Sequence, residues 1–119
     1  MKIEAFENAI AIGVKDLRAI GINPTMFWAY RDSRRAENDL IDFHEVIWED
    51  DIVEIAIALK ENGIDEFTIS CKFSGLVNAL YEFEKVGFKI VGMTEVNAPY
   101  RDAATDEFAK IPAIKLRHN

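Results

Sequence analysis

Apolar residues recur every three or four positions over the first twenty residues, at Ile3, Phe6, Ile10, Val14, Leu17 and Ile20. That spacing is one stripe of an α-helix, and it predicts an amphipathic first helix closed by Gly21, with Gly13 inside it costing some helix propensity. The run 23-NPT-25 then offers Asn23 or Thr25 as a cap and Pro24 in a first-turn position, so a second helix is predicted through MFWAYRDSRRAE. In 38-NDLIDFHEVIW-48, Ile41 and Phe43 alternate with Asp42 and His44 like a strand, while Phe43 and Ile47 also fit a helix. The segment reads as a connector holding a short element. Carboxylates at 49-EDD-51 sit where a helix N-terminus favours negative charge, and Ile52, Ile55, Ala56 and Leu59 follow at helical spacing up to Asn62-Gly63.

Beyond Gly63 the period changes. Phe67 and Ile69 alternate with Thr68 and Ser70 as a short strand, and Leu76, Ala79, Leu80 and Phe83 mark a helix that stops at Gly87. Phe88 to Val96 reads as a second strand, parallel to the first because a strand, helix, strand unit of this length normally makes a right-handed crossover. The last strand, 111-IPAIKLR-117, carries Pro112 near its start and is expected to return antiparallel beside the second. Between them, 97-NAPYRDAATDEFAK-110 is longer than most hairpin connections and reads as a functional or a flexible loop. The expectation is one α+β domain over residues 1–119, two layers deep. Its N-terminal helices pack on a small mixed sheet that contains a β-α-β unit and an antiparallel C-terminal strand.

Composition agrees with a packed core: half of the 119 residues are apolar, and phenylalanines run from Phe6 to Phe108. The segment MKIEAFENAI has acidic residues where a signal peptide needs an apolar run, and no stretch approaches the roughly 18 apolar residues of a membrane span. One cysteine and two histidines leave no internal disulfide and no multi-cysteine zinc module, which fits a reducing, cytoplasmic setting. A net charge of −7 argues against a general nucleic-acid binder, whose affinity comes from basic surface.

Chemistry concentrates at 67-FTISCKFSGL-76. Cys71 as a nucleophile needs a base, for which only His44 and His118 are available, and a lone cysteine at a strand end reads more simply as a small core residue, so no catalytic residue is assigned. Ser70, Lys72, Ser74 and Gly75 form a strand-to-helix turn able to hold a phosphate or carboxylate through backbone N–H groups and the ammonium; the plainer reading makes Ser74 an N-cap and Lys72 a solvated side chain. Eight carboxylates fall between Glu37 and Glu54 with no lysine or arginine among them. Asp42, His44, Glu45 and Glu49 lack the spacing of a calcium loop or a paired-histidine site, so no metal is assigned, and the run reads as a solvated face partly paired with Arg31, Arg34 and Arg35. These arginines, with Asp42, Glu45 and Glu49, are patches of opposite sign able to dock a protein partner or a second copy of the chain.

The segments 42-DFHEVIWEDD-51, 65-DEFTISCKFSG-75, 87-GFKIVGMTEVNAPYRD-102 and 110-KIPAIKL-116 resemble a family of small bacterial proteins of unknown function associated with conjugative and other mobile elements. The resemblance runs from about residue 40 onward and implies a bacterial cytoplasmic protein in a mobile-element context, with no activity to carry over. A second, partial resemblance joins 78-NALYEFEKVGF-88 to the C-terminal segment of GNAT-type acetyltransferases, with Asn78, Tyr81, Lys85, Gly87 and Phe88 as the matching positions. That family's Arg/Gln-x-x-Gly-x-Gly/Ala pyrophosphate loop is missing, so no cofactor is assigned and the likeness implies a shared strand, helix, strand topology. Two functions follow as expectations: a noncatalytic binding or interaction module, or a small ligand-binding domain using the turn at residues 70–75.

Overall fold

The computed structural model describes residues 2–45 and 47–118. Along the chain run α1 (Glu4–Ile12), a 3-10 turn at Arg18–Ile20, α2 (Pro24–Arg35), β1 (Asp42–Phe43), a 3-10 turn at Glu49–Asp51, α3 (Ile52–Glu61), β2 (Glu66–Ile69), α4 (Leu76–Lys85), β3 (Phe88–Arg101) and β4 (Phe108–His118). The strands form one mixed sheet in the order β1-β2-β4-β3, with β1 parallel to β2 and β4 antiparallel to both of its neighbours. The α+β class is therefore as the sequence predicts. β2 and β3 do run in the same direction around α4, but β4 lies between them.

Local departures have local causes. The first helix ends at Ile12, not Gly21, because Gly13 adopts a left-handed φ of 74° and its N–H closes on the carbonyls of Ala9 and Ile10. Leu17 still reaches the core, so the 3.6-residue stripe survives across the break. At α2 the expected cap is found: the Asn23 side chain accepts from the Met26 N–H at 3.0 Å, with Pro24 following. Ser74, by contrast, does not cap α4. Gly75 occupies that position with no side-chain bond, and the backbone closes the turn itself, Leu76 N–H donating to the Phe73 carbonyl at 3.1 Å. The connection expected at 97–110 is mostly strand, since β3 continues to Arg101 and β4 starts at Phe108. Asn38 stabilises that extension: its amide donates to the Asn97 carbonyl and its carbonyl accepts from the Asn97 N–H, both at 2.8 Å.

The core is aromatic at its centre. Phe67 on β2 packs against Phe83 of α4 at 4.9 Å, Phe88 of β3 at 5.2 Å and Phe43 of β1 at 5.4 Å, in the tilted and edge-on geometries that aromatic rings favour. A second aromatic group joins α1 to α2, with Phe6 edge-on to Tyr30 at 5.3 Å. Among the described residues no helix is long and apolar enough to cross a membrane.

Candidate functional site

Side chains alternate across a strand, so residues two apart share a face. The register Asp42↔Thr68 and Phe43↔Ile69 puts Phe43 and Ile69 on one face, and Asp42 and Thr68 on the other. His44 and Ser70, one step past the ends of the two parallel strands, meet on the polar side. There Asp42, only 4% exposed, accepts from the Thr68 hydroxyl on Oδ1 at 2.6 Å and from the Ser70 hydroxyl on Oδ2 at 2.5 Å. Ser70 Oγ also lies 3.1 Å from His44 Nδ1. Ser33 of α2 anchors the strand from outside, accepting from the Asp42 N–H at 2.8 Å.

Counting donors fixes the direction of this chain. An ionised carboxylate only accepts, and a serine has one proton; with that proton given to Asp42, Ser70 Oγ accepts from His44 Nδ1–H. The neutral imidazole is then held as the Nδ1–H tautomer, which leaves the lone pair on Nε2. Among the described residues Nε2 has no hydrogen-bond partner and is not sealed off from solvent.

His44 borders a cleft of about 350 Å³ between α2 and the end of β1. Thr25, Trp28, Ala29 and Asp32 fall at i, i+3, i+4 and i+7 and give α2 a second stripe along the cleft, distinct from the buried Met26, Phe27, Tyr30 and Ser33. Phe43, His44 and Glu45 form the facing wall. The guanidinium of Arg31, which also borders the cleft, stacks 4.2 Å from the centroid of the Trp28 ring. Its neighbour Asp32 is a distant partner at 3.5 Å, and Arg31 Nε is the one buried side-chain nitrogen or oxygen without a hydrogen-bond partner among the described residues.

The turn at 70–75 is not a single site. Ser70 is buried in the Asp42 network, whereas Lys72, Ser74 and Gly75 are exposed. Ser70 and Lys72 border a shallow, otherwise apolar depression of about 140 Å³; Ser74 and Gly75 border a different groove of about 350 Å³ whose walls are Trp48 and Phe73. Cys71 is buried and acquires no base: His44 is committed to Ser70, and His118 packs on Phe88 with its backbone N–H on the Asp65 carbonyl, just before β2 and about 20 Å of extended chain from Cys71.

The acidic run divides as well. Asp42 is interior and belongs to no surface patch, while Glu45 and Glu49 are exposed. Asp51 and Glu54 pair with Arg18, Asn23 and Thr25 at the start of α2, because Arg34 and Arg35 lie at its other end, about 18 Å along a 12-residue helix. Arg34 instead meets Glu7 and the Tyr30 hydroxyl. Partial burial pushes the Glu7 carboxyl up, but the hydrogen bonds it accepts from Arg34 and Tyr30 outweigh it and hold the group below its ordinary value; the bonds Arg34 donates, to the Tyr30 hydroxyl first and then to Glu7, raise Arg34. Arg117 likewise holds Glu66 down, and Glu82 raises Lys85. Among the described residues no three His, Cys, Asp or Glu side chains converge as a metal site would require, so Asp42, His44, Glu45 and Glu49 stay apart as ligands.

The network was half visible in the sequence. Asp42 and His44 two apart, and Thr68 and Ser70 two apart, are each a strand-face signal, but which strands are neighbours is a tertiary fact. No curated protein and no solved structure matches the chain. The sequence model of one family covers residues 25–118, which takes in all of α2 but Pro24, the whole sheet, every residue of the network and every cleft residue but Pro24. On that match the chain belongs to the family described as Domain of unknown function (DUF7698).

Proposed function

We propose that this protein is a noncatalytic binding module whose site is the cleft between α2 and the end of β1. One observation carries the reading: a buried carboxylate, through one serine hydroxyl, holds the His44 ring in a single orientation and tautomer at the cleft wall. A surface histidine needs no such support, and a fully satisfied buried polar chain is the usual means of orienting a recognition group. At this site the Ser70 proton is committed to Asp42, and Cys71 is buried and not among the cleft's lining residues, which favours binding over catalysis there. Titration of isotope-labelled protein with a small-molecule fragment collection tests it. Chemical-shift changes confined to residues 24–32 and 42–45 are expected; shifts that cluster elsewhere, or none, refute the cleft as the site.

A second reading keeps the interaction-module expectation and rests on a different surface. Trp48, 66% exposed, and Phe73, 49% exposed, line the groove together with Ile47 and Ala79, and exposed Glu49 borders it. Aromatic side chains held open beside an acidic rim favour a protein partner, and the resemblance to proteins of bacterial mobile elements gives that partner a setting. Light scattering at low and high salt discriminates self-association from a monomer, and Trp48→Ala is expected to abolish any partner capture while leaving ligand shifts in the cleft intact.

A further inference from the structure

Arg31 is the polar group in the cleft whose needs the protein leaves unmet. Its guanidinium carbon lies 4.2 Å from the centroid of the Trp28 ring, and a guanidinium placed over an aromatic ring keeps N–H groups available for hydrogen bonds. The Asp32 contact at 3.5 Å, between two half-exposed neighbours on one helix, is too long to satisfy those groups. Nε meanwhile is shielded from water with no acceptor. Buried donors are nearly always paired, and with Nε sealed the guanidinium can take an acceptor from outside the chain only through its Nη groups.

The remaining walls narrow the chemistry. Trp28 and Ala29 offer an apolar bed, and a volume of about 350 Å³ lies at the small end of ligand sites. Glu45 and Asp32 on the rim and the net charge of −7 oppose a doubly charged anion. A planar monoanion suits the end-on fork of the two Nη groups, as a carboxylate does in bidentate pairs. Resting on the reading of the cleft as the binding site, we infer that its ligand is a small carboxylate with an apolar body, anchored by Arg31, with a hydroxyl or amine donor directed to His44 Nε2.

The test titrates labelled protein with benzoate, its neutral isostere benzamide, the cation benzylamine and inorganic phosphate, following backbone amides, the Arg31 Nε–H and the Trp28 indole. Benzoate is expected to move these resonances and to bind at least about tenfold more tightly than benzamide. Arg31→Gln, checked for fold by circular dichroism, is expected to weaken benzoate by about 10- to 100-fold, the worth of a charge-assisted hydrogen bond; Arg31→Lys restores part of it. Benzamide or benzylamine matching benzoate overturns the carboxylate class while the cleft reading stands. Tighter binding of phosphate overturns it in favour of a phosphate ligand, and benzoate binding indifferent to Arg31→Gln overturns the anchor. If no probe moves a cleft resonance, both this inference and the cleft reading fall.

Discussion

Replacing Ser70 by alanine removes one hydroxyl from the centre of the polar network. Its bond to Asp42, at 2.5 Å to a carboxylate 4% exposed, is the charge-assisted kind whose loss costs about 1.5–3 kcal/mol; the bond to His44 adds about 0.5–1.5 kcal/mol. Thr68 remains on Oδ1, so the carboxylate is left half satisfied and not bare, which places the expected loss near the middle of the range, about 3 kcal/mol. Against a total of about 5–15 kcal/mol that is a large fraction, equivalent to a fall in Tm of about 10 °C for a chain of this size. Urea unfolding followed by circular dichroism measures it, with the slope unchanged because the surface exposed on unfolding is the same. Long-range nitrogen–proton spectra of the imidazole supply the second readout: Nδ1–H in the parent, and release from that single tautomer in the variant. A loss under about 0.5 kcal/mol, the range of ordinary surface substitutions, would refute the burial argument. A parent ring protonated on Nε2 instead would refute the assigned direction of the hydrogen bonds.

Three further outcomes follow from the fold. Phe67→Ala empties the middle of the Phe43, Phe83, Phe88 cluster and is expected to cost about 3–5 kcal/mol, enough to leave much of the population unfolded in thermal melts. Gly87→Ala places a methyl 3.2 Å from the His118 ring at a left-handed φ of 96°, and a loss of about 1–2 kcal/mol is expected, with the His118 ring resonances displaced. Because the Glu7 carboxyl is held below its ordinary 4.5 when folded, it contributes stability above that pH and loses it as the pH falls through the folded value. Glu7→Gln should therefore be less stable than the parent at pH 7, with the gap narrowing progressively as the pH falls below 4.5; a gap that stays constant down to acid unfolding contradicts the assignment.

Where a signal is local, the sequence carries it. Asn23 before Pro24 caps α2, Gly87 ends the α4 unit, and the period change at Phe67 marks the sheet. Where a competing local closure exists, the reading fails: Gly13 in the left-handed region ends a helix whose apolar stripe runs on, and a backbone bond from Leu76 takes the place of Ser74. β1 is too short at two residues to show a period, and its partner comes 26 positions later, so the juxtaposition of Asp42 with Ser70 had no sequence-local trace. The paired charges were misread for the same reason, since Arg18 and Glu7 reach the acids and arginines from another helix. Cleft residues Trp28 and Arg31, three apart on α2, were legible as an aromatic and basic pair but not as the wall of a cavity.

The place of β4 has a consequence for how the molecule comes into being. Of the four strands the latest made, β4, is an inner strand of the sheet, so β2 leaves the ribosome with one flank open and stays so until residues near 114–117 follow about fifty positions later, roughly 3 to 10 s at ordinary rates of synthesis. Until then Phe67, Thr68 and Ile69 form a bare apolar edge that any other nascent strand can pair with. Chains interrupted before β4 are therefore expected to be captured by chaperones or to coaggregate, and slow, nonlocal closure of the sheet to govern the yield of folded protein.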